Sequence, residues 1–300
     1  MKTGAIGVFD SGYGGLTVLS EIRTRMPRYD YLYLGDNARA PYGNRSYERV
    51  YQFTLEAVNW LFDMGCYLVI LACNTASAKA LRTIQQKNLP KLDPDRRVLG
   101  VIRPTAERVV HFTKSRHVGV LGTDGTIQSR SYEMEIAKLH PGLTVTGEAC
   151  PMWVPLVENR EHDKPGADYF VRQHLDRLLQ RDPMIDAIIL GCTHYPLLIE
   201  KIRGYLPDGV TIIPQGKEVA ESLLDYLHRH PEMDVKCSKG KTVKYYTTDS
   251  PKKFNQMASL FMNEPVNAQK ISLDVTMRRK LYPRLQLTQW KNSSRWYRSS

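Results

Sequence analysis

The sequence predicts an α/β fold, with two pseudo-symmetric α/β domains, mostly parallel sheets and the active site in the cleft between them. Apolar runs alternate with segments of helical spacing, as in parallel strands joined by right-handed crossovers. Two of the runs, within residues 68–75 and 187–194, end in a polar segment that begins with a cysteine. A strand and loop followed later by a cysteine run occur twice along the chain, with 66 residues between Gly7 and Cys73 and 73 between Gly119 and Cys192. Two similar units that face each other would place both cysteine-bearing edges at one cleft.

The first part of the chain alternates strand and helix patterns. Residues 5–9 read as a buried strand, followed by a glycine-rich loop and a helical pattern over 16–26. A second strand over 29–34 leads into a loop of turn formers, and apolar spacing over 45–64 predicts a helix. The first cysteine run is the next predicted strand, and residues 76–87 continue as a helix.

The pattern restarts after a polar, proline-containing stretch near residues 91–95. Residues 118–121 and the second cysteine run predict strands. Four further elements are expected after that run, namely a helix over 197–205, a strand over 211–213, a helix over 218–229 and a strand over 243–247. No element is predicted beyond Leu273.

Composition is that of an ordinary globular protein, with 42% apolar and 24% charged residues. A length of 300 residues favours two domains. No apolar run approaches the ~20 residues that a membrane helix needs, and the chain starts without a signal-peptide pattern. We therefore expect a cytoplasmic protein with no membrane partner.

The formal net charge of +11 is unevenly distributed. Residues 274–300 carry seven Lys or Arg against Asp274 alone, which predicts a poorly ordered basic tail. The rest of the chain is only moderately basic, and this argues against nucleic acid as the partner. Anion binding that depends on the tail stays open.

The five cysteines are odd in number and contain no C-x-x-C pair, so reduced thiols are expected rather than disulfides. Cys66, Cys150 and Cys237 are interpreted as structural, because free cysteine usually packs as a small buried hydrophobe. Cys73 and Cys192 follow buried strands, and α/β proteins bind ligands at that edge of a parallel sheet. These two thiols are the candidates for chemistry.

The loop at residues 10–15 is rich in glycine, but it matches neither the dinucleotide fingerprint nor the lysine-containing P-loop. Its backbone N–H groups suit a small carboxylate better than a nucleotide. The alternative is that Asp10 or Ser11 only caps the following helix.

Each candidate thiol has a polar neighbour. His194 is the obvious partner of Cys192, and the topology makes Asp10 the nearest polar candidate for Cys73. Lowering a thiol pKa by ~1.5 units takes only about 2 kcal/mol. The other histidines lack ligand-like spacing, so no metal site is expected. A Cys-His nucleophile for acyl transfer is an alternative, but it leaves Cys73 without a task.

Several motifs, in order along the chain, resemble those of the glutamate racemases, cofactor-independent enzymes of the aspartate/glutamate racemase superfamily. The motifs lie at residues 7–18, 40–43, 72–76, 150–158 and 190–196. The resemblance spans roughly residues 5–273. It implies a first domain of residues 1–97 plus 207–273, a second domain of residues 98–206, no cofactor and a homodimer. It does not explain the basic tail at residues 274–300.

The resemblance also implies roles for individual residues. Cys73 and Cys192 would face opposite sides of the substrate α-carbon, with Asp10 assisting Cys73 and with Glu158 and His194 assisting Cys192. The residues implied in substrate binding are Asp10, Ser11, Tyr42, Gly43, Asn74, Thr75, Thr193 and His194, with Thr123 and Thr126 as weaker additions. Two groups suit a racemase, because one face of the α-carbon needs a base and the other an acid.

Three hypotheses follow. The first is racemisation of L-glutamate to D-glutamate by two cysteines, which the resemblance places in the supply of D-glutamate for peptidoglycan. The second is another carboxylate-acting racemase, such as an aspartate racemase. The third is a protein that binds anions or nucleic acid through the basic tail and no longer catalyses.

Overall fold

The computed structural model describes residues 3–262 and 264–273. The strands in this part of the chain are β1 Ile6–Asp10, β2 Tyr31–Gly35, β3 Leu68–Leu71, β4 Arg97–Gly100, β5 His117–Gly122, β6 Thr144–Ala149, β7 Ala187–Gly191, β8 Thr211–Pro214, β9 Val243–Thr247 and β10 Ala268–Lys270. The predicted basic tail, residues 274–300, lies outside the described residues.

Helices connect the strands. They are α1 Gly15–Arg25, α2 Tyr47–Asp63, α3 Asn74–Lys79, α4 Leu81–Thr83, α5 Leu89–Leu92, α6 Ile102–Arg108, α7 Asp124–Gln128, α8 Ser131–Leu139, α9 Trp153–Glu158, α10 Pro165–Arg181, α11 Ile199–Tyr205, α12 Gln215–Arg229, α13 Pro231–Asp234 and α14 Pro251–Met262. A π-helical turn at Ile84–Asn88 and 3₁₀ turns at Val109–His111 and Tyr195–Leu198 complete the helical segments.

The strands form two parallel sheets. The first has the order β10-β9-β2-β1-β3-β4 and the second the order β6-β5-β7-β8. Every pairing between these strands is parallel. The α/β class predicted from the sequence is confirmed.

The two sheets share one internal order and one register. The order β2-β1-β3-β4 of the first sheet corresponds to β6-β5-β7-β8 of the second. Gly7 pairs with Val69 in the first sheet, and Gly119 pairs with Ile188 in the second. Each cysteine stands four residues beyond the strand residue so paired. Cys73 and Cys192 therefore occupy equivalent positions in the two sheets.

The sheet edges do not coincide with the domain boundaries predicted at residues 97 and 206. β4 closes one edge of the first sheet by pairing with β3. β8 lies beyond residue 206 but extends the second sheet by pairing with β7, where Ile213 is buried. The chain thus returns to the first sheet only after β8. The division of the chain into domains stays a prediction.

Several helical segments differ from the sequence prediction. The expected helix over 76–87 begins earlier, at Asn74, and is broken after Lys79 into short pieces that continue to Leu92. Pro90 fits there because it lies in the first turn of α5, where its missing N–H leaves no bond unmade.

The helices between residues 124 and 181 were not predicted. In α10 the buried residues Val171, Leu175 and Leu178 follow helical spacing, so the sequence did carry a signal for this helix. The strands β4 and β6 were also missed, because they are half-buried edge strands without a continuous apolar run.

One apolar cluster runs through both sheets. It includes Val8 of β1, Ile188 of β7, Leu19 of α1 and Leu223 of α12. Since α1 follows a strand of the first sheet and α12 follows a strand of the second, their packing brings the two sheets together. Within residues 3–262 and 264–273, no helix is long and apolar enough to cross a membrane.

Truncating a buried side chain of a central strand should destabilise the protein far more than truncating a surface side chain. Ile188 is fully buried, so Ile188→Ala is expected to lower the free energy of unfolding by about 2–5 kcal/mol, through lost transfer energy and a cavity. The matched control is Met184→Ala at a side chain that is 58% exposed, with an expected change within about 0.5 kcal/mol. Urea unfolding followed by circular dichroism measures both, and equal effects would contradict the assigned core.

Candidate active site

The two equivalent cysteines lie at the carboxyl edges of their sheets and are nearly buried, with exposures of 5% for Cys73 and 7% for Cys192. Cys73 precedes α3, and its sulfur accepts a 3.4 Å hydrogen bond from the Ala76 N–H. Its thiol also lies 3.4 Å from the Ser11 Oγ, to which it donates. Burial, together with the nearby charge of Asp10, raises the pKa of the Cys73 thiol to about 12.

Cys192 lies beside His194. Its Sγ lies 4.0 Å from Nδ1 of His194, and His194 Nε2 lies 3.1 Å from Oε1 of Glu158. Burial lowers the pKa of His194, but the bonds to Cys192 and Glu158 outweigh it and raise the pKa to about 10. Phe261 of α14 packs edge-on against the imidazole, with ring centroids 5.8 Å apart. The ring is therefore protonated at neutral pH and held on both nitrogens.

Asp10 stands at the end of β1, fully buried between the two thiol sites. Its Oδ2 accepts a 2.9 Å bond from the Gly12 N–H and the Gly15 N–H also faces the carboxylate, whereas Oδ1 lacks a close hydrogen-bond partner among residues 3–262 and 264–273. Burial raises the pKa of Asp10, and the charge of His194 opposes that rise. A buried carboxylate oxygen without a partner is suited to receive a hydrogen bond from a bound ligand.

Glycine allows the first sheet to approach the histidine. A Cβ on Gly14 would lie 2.3 Å from Oγ1 of Thr193 and 2.5 Å from Nδ1 of His194, distances that no side chain can occupy. The expected alternative, a helix cap by Asp10 or Ser11, is not formed, since Gly14 is the N-cap of α1 and no side chain caps it.

The carboxyl edges of the two sheets meet along a junction, which we call the seam. A second set of contacts crosses it. The Gly125 N–H donates to the Gly43 carbonyl at 2.8 Å. The hydroxyls of Thr75 and Thr123 lie 2.9 Å apart, and that of Thr126 lies 3.4 Å from Thr75. These contacts bring four of the predicted residues, Gly43, Thr75, Thr123 and Thr126, to the edge that carries the cysteines.

Tyr42 and Asn74 reach the same edge, but their polar side-chain atoms are already bonded inside the protein. The Tyr42 hydroxyl donates to Asp36, whose other oxygen accepts from Thr248 at 2.9 Å. The Asn74 amide is held by Tyr132 and Gln215. The predicted role of these two side chains in holding substrate is therefore not visible in their contacts.

Comparison with known proteins places this arrangement in a family. A protein-family model described as Asp/Glu/Hydantoin racemase matches residues 16–223. The glutamate racemase of Paracoccus denitrificans (strain Pd 1222) is 42% identical over 272 residues, which cover 87% of this chain and 98% of that protein.

The chain belongs to the Asp/Glu/Hydantoin racemase family. It is an amino-acid racemase, and so an isomerase.

Solved structures agree with this assignment. The glutamate racemase isoform RacE1 of Bacillus anthracis has a TM-score of 0.82 at 38% identity, over 91% of this chain and 99% of that one. The glutamate racemase of Francisella tularensis in complex with D-glutamate has a TM-score of 0.79 at 29% identity, with the same coverage. The aspartate racemase of Picrophilus torridus, at a TM-score of 0.50 and 16% identity over 77% of this chain and 99% of that one, shares the fold.

The remaining cysteines of the racemase are buried and unpaired. Cys66, Cys150 and Cys237 have no sulfur partner, and burial raises the pKa of each thiol. Cys150 alone among them lies at a carboxyl edge, after β6, where its carbonyl accepts a 2.9 Å bond from the Tyr195 hydroxyl.

Three further residues at the edge were missed in the sequence. Asp36 and Gln215 directly follow β2 and β8, so the rule that found the cysteines also applies to them. Tyr132 follows no strand and lies on α8. Sequence spacing gives no signal for it, because only the packing of α8 brings its hydroxyl to Asn74.

Adding one methyl group at Gly14 should abolish most of the racemase activity. Gly14→Ala forces Thr193 and His194 away from α1, and a displacement of this kind is expected to lower kcat/KM by about a hundredfold. Gly204→Ala on α11 is the matched control, since its Cβ would meet nothing within 4 Å. Racemisation followed by polarimetry measures both. Full activity in Gly14→Ala would show that the close approach is unnecessary.

The raised pKa of His194 predicts a specific loss of stability at alkaline pH. The folded protein keeps this proton up to about pH 10, whereas an unfolded histidine loses it near ~6.5. The stabilisation is complete below the unfolded value and declines as pH rises through that window. Between about pH 7 and about pH 9, the unfolding free energy should fall more steeply than in His194→Asn, by up to ~1.4 kcal/mol per pH unit. Parallel pH profiles in urea unfolding would contradict the protonated state.

Proposed function

We propose that this racemase interconverts L- and D-glutamate without a cofactor, by a two-base mechanism that uses Cys73 and Cys192. The observation that carries the proposal is the equivalent placement of two nearly buried thiols, each just beyond the corresponding strand of its sheet. Inversion at an amino-acid α-carbon removes a proton from one face and returns another to the opposite face. Two thiols related in this way can serve both faces, whereas a single group serves one.

The proposed reaction balances without an added reactant. A thiolate on one cysteine takes the α-proton and becomes a thiol, and the electron pair of the C–H bond stays on the substrate. The thiol of the other cysteine then donates its proton to the opposite face and becomes a thiolate. Each turnover thus exchanges the protonation states of Cys73 and Cys192, and the reverse reaction starts from the exchanged state.

The sulfurs of Cys73 and Cys192 have different charged groups beside them. Protonated His194, 4.0 Å from the Cys192 sulfur, favours negative charge on that sulfur. Burial and the nearby carboxylate of Asp10 both raise the pKa of the Cys73 thiol, and they therefore favour its neutral form. We propose that His194, oriented by Glu158, assists Cys192, and that Asp10 assists Cys73.

Oriented donors and the exclusion of water would stabilise the carbanion-like transition state. The groups suited to this are the hydroxyls of Ser11, Thr75 and Thr193, the backbone at Gly43 and the unpartnered oxygen of Asp10, which would accept from the substrate ammonium. The near burial of both cysteines supports a dry site.

The cellular setting is proposed on the resemblance. We infer that the protein supplies D-glutamate for peptidoglycan synthesis, acts in the cytoplasm and works as a homodimer. Support for glutamate over aspartate comes from the glutamate racemases, which share far more identity with this chain than the aspartate racemase does.

Deuterium exchange tests the mechanism directly. Purified protein, treated to remove metals and carbonyl cofactors, is incubated in deuterium oxide with L-glutamate or D-glutamate, and α-deuterium is followed by NMR in both enantiomers. The product should acquire deuterium before the substrate pool does. Cys73→Ser and Cys192→Ser should each lower racemisation by about 10²-fold or more. The control, Cys237→Ser, changes a buried thiol away from the carboxyl edges and should racemise at the wild-type rate.

The alternatives give different results. Exchange with aspartate but not with glutamate would overturn the substrate. Loss of activity in only one of the two cysteine variants would overturn the two-base mechanism.

A further inference from the structure

Three buried side chains form a closed hydrogen-bonded ring beside Cys73. The Asn74 Nδ2 donates to the Gln215 Oε1 at 2.7 Å, and the Tyr132 hydroxyl donates to the Asn74 Oδ1 at 2.7 Å. The Gln215 Nε2 donates to the Tyr132 oxygen and closes the ring. All three residues are buried. We call this set the amide ring.

The amide ring connects the two sheets. Asn74 begins α3 directly after Cys73 of the first sheet, and Gln215 begins α12 directly after β8 of the second. The Gln215 Nε2 also faces the Thr105 Oγ1 at 3.1 Å and the Val101 carbonyl at 3.4 Å, in the segment where the chain leaves the first sheet. The ring therefore sits where both connections between the sheets pass.

The register gives this position a symmetric meaning. Val98 pairs with Val69 and Ile212 pairs with Ile188, the two strand residues that each lie four positions before a cysteine. Val101 and Gln215 each lie three residues further along. The ring thus lies close to the pseudo-symmetry axis, the place where a fixed contact best sets the relation of one sheet to the other.

We propose that Asn74, Tyr132 and Gln215 act together as positioning residues that set the distance of Cys73 from the second sheet. This inference rests on the proposed two-cysteine function. It assigns the Asn74 side chain to the protein scaffold and not to the substrate.

The contacts explain why the ring would affect proton transfer. Turning the Asn74 amide toward a substrate would leave buried donors and acceptors on Tyr132 and Gln215 without partners, which is costly in a low-dielectric interior. Asn74 is the first residue of the helix whose Ala76 N–H binds the Cys73 sulfur. A change in the orientation of Asn74 would therefore move the Cys73 sulfur. Proton transfer between a thiol and the α-carbon depends steeply on their separation.

Tyr132→Phe removes one hydroxyl from the ring with no other change of shape. We expect kcat for racemisation to fall by about tenfold, with KM for glutamate changed by less than about twofold. Tyr31→Phe is the matched control, because Tyr31 is equally buried and its hydroxyl donates to the Met26 carbonyl, away from the seam. Its kinetics should equal those of the wild type.

A kinetic isotope effect separates positioning from a loss of folded protein. With α-deuterated glutamate, Tyr132→Phe should show a larger primary isotope effect on kcat/KM than the wild type, since proton transfer limits the rate more. A variant that only contains less active protein keeps the wild-type value. In an Asn74→Ala background, Tyr132→Phe should cause no further loss, because the ring is already open.

Three results would overturn the proposal, namely unchanged kinetics in Tyr132→Phe, a raised KM at constant kcat, which would make Asn74 a substrate ligand, or a lower kcat with an unchanged isotope effect. The wild-type rate on glutamate tests the proposed function by itself. The ratio of variant to wild type tests the ring with whichever of glutamate and aspartate the wild type racemises.

Discussion

The structure depends on the meeting of two sheet edges at which all the strands of each sheet end. The last residues of parallel strands lie at one edge of a sheet, so the cysteine after β3 and the cysteine after β7 both lie at the seam. At that seam both thiols are nearly buried, which suits the dry site that the proposed mechanism needs. The glycines at positions 14 and 43 matter for this reason, because the backbones around them lie against residues of the second sheet.

Equivalent positions do not make the two thiols equivalent. Cys192 shares its side of the seam with His194, whose pKa is raised to about 10, and with Glu158. Cys73 lies beside neutral groups of Ser11 and Ala76 and near the buried carboxyl group of Asp10, and burial raises the pKa of its thiol. The pseudo-symmetric fold therefore places the two thiols equivalently, while side chains that the repeat does not share give the two sulfurs different charged neighbours. The proposed mechanism uses both, because it starts each turnover with the two thiols in different protonation states.

Buried polar contacts give the seam its specificity. Apolar packing between α1 and α12 brings the sheets together but does not set their separation sharply, since such contacts have little directionality. The amide ring is directional, and a small shift would leave its buried groups without partners. These groups restrict the closed arrangement to a narrow range.

The sequence by itself determined the α/β class, the order of the central elements and the pair of cysteines, because strand runs that end at polar residues are local patterns. It also pointed to Asp10 and His194 through their place after strands, and to Glu158 through the resemblance. The half-buried edge strands and the return of the chain through β8 were decided only by the tertiary structure, since partners distant in sequence determine pairing at a sheet edge. The same holds for Tyr132 and for the orientation of the Asn74 amide, whose partners lie 58 and 141 residues away along the chain. Contacts at such separations exist only when both sheets are packed, so no local pattern encodes them.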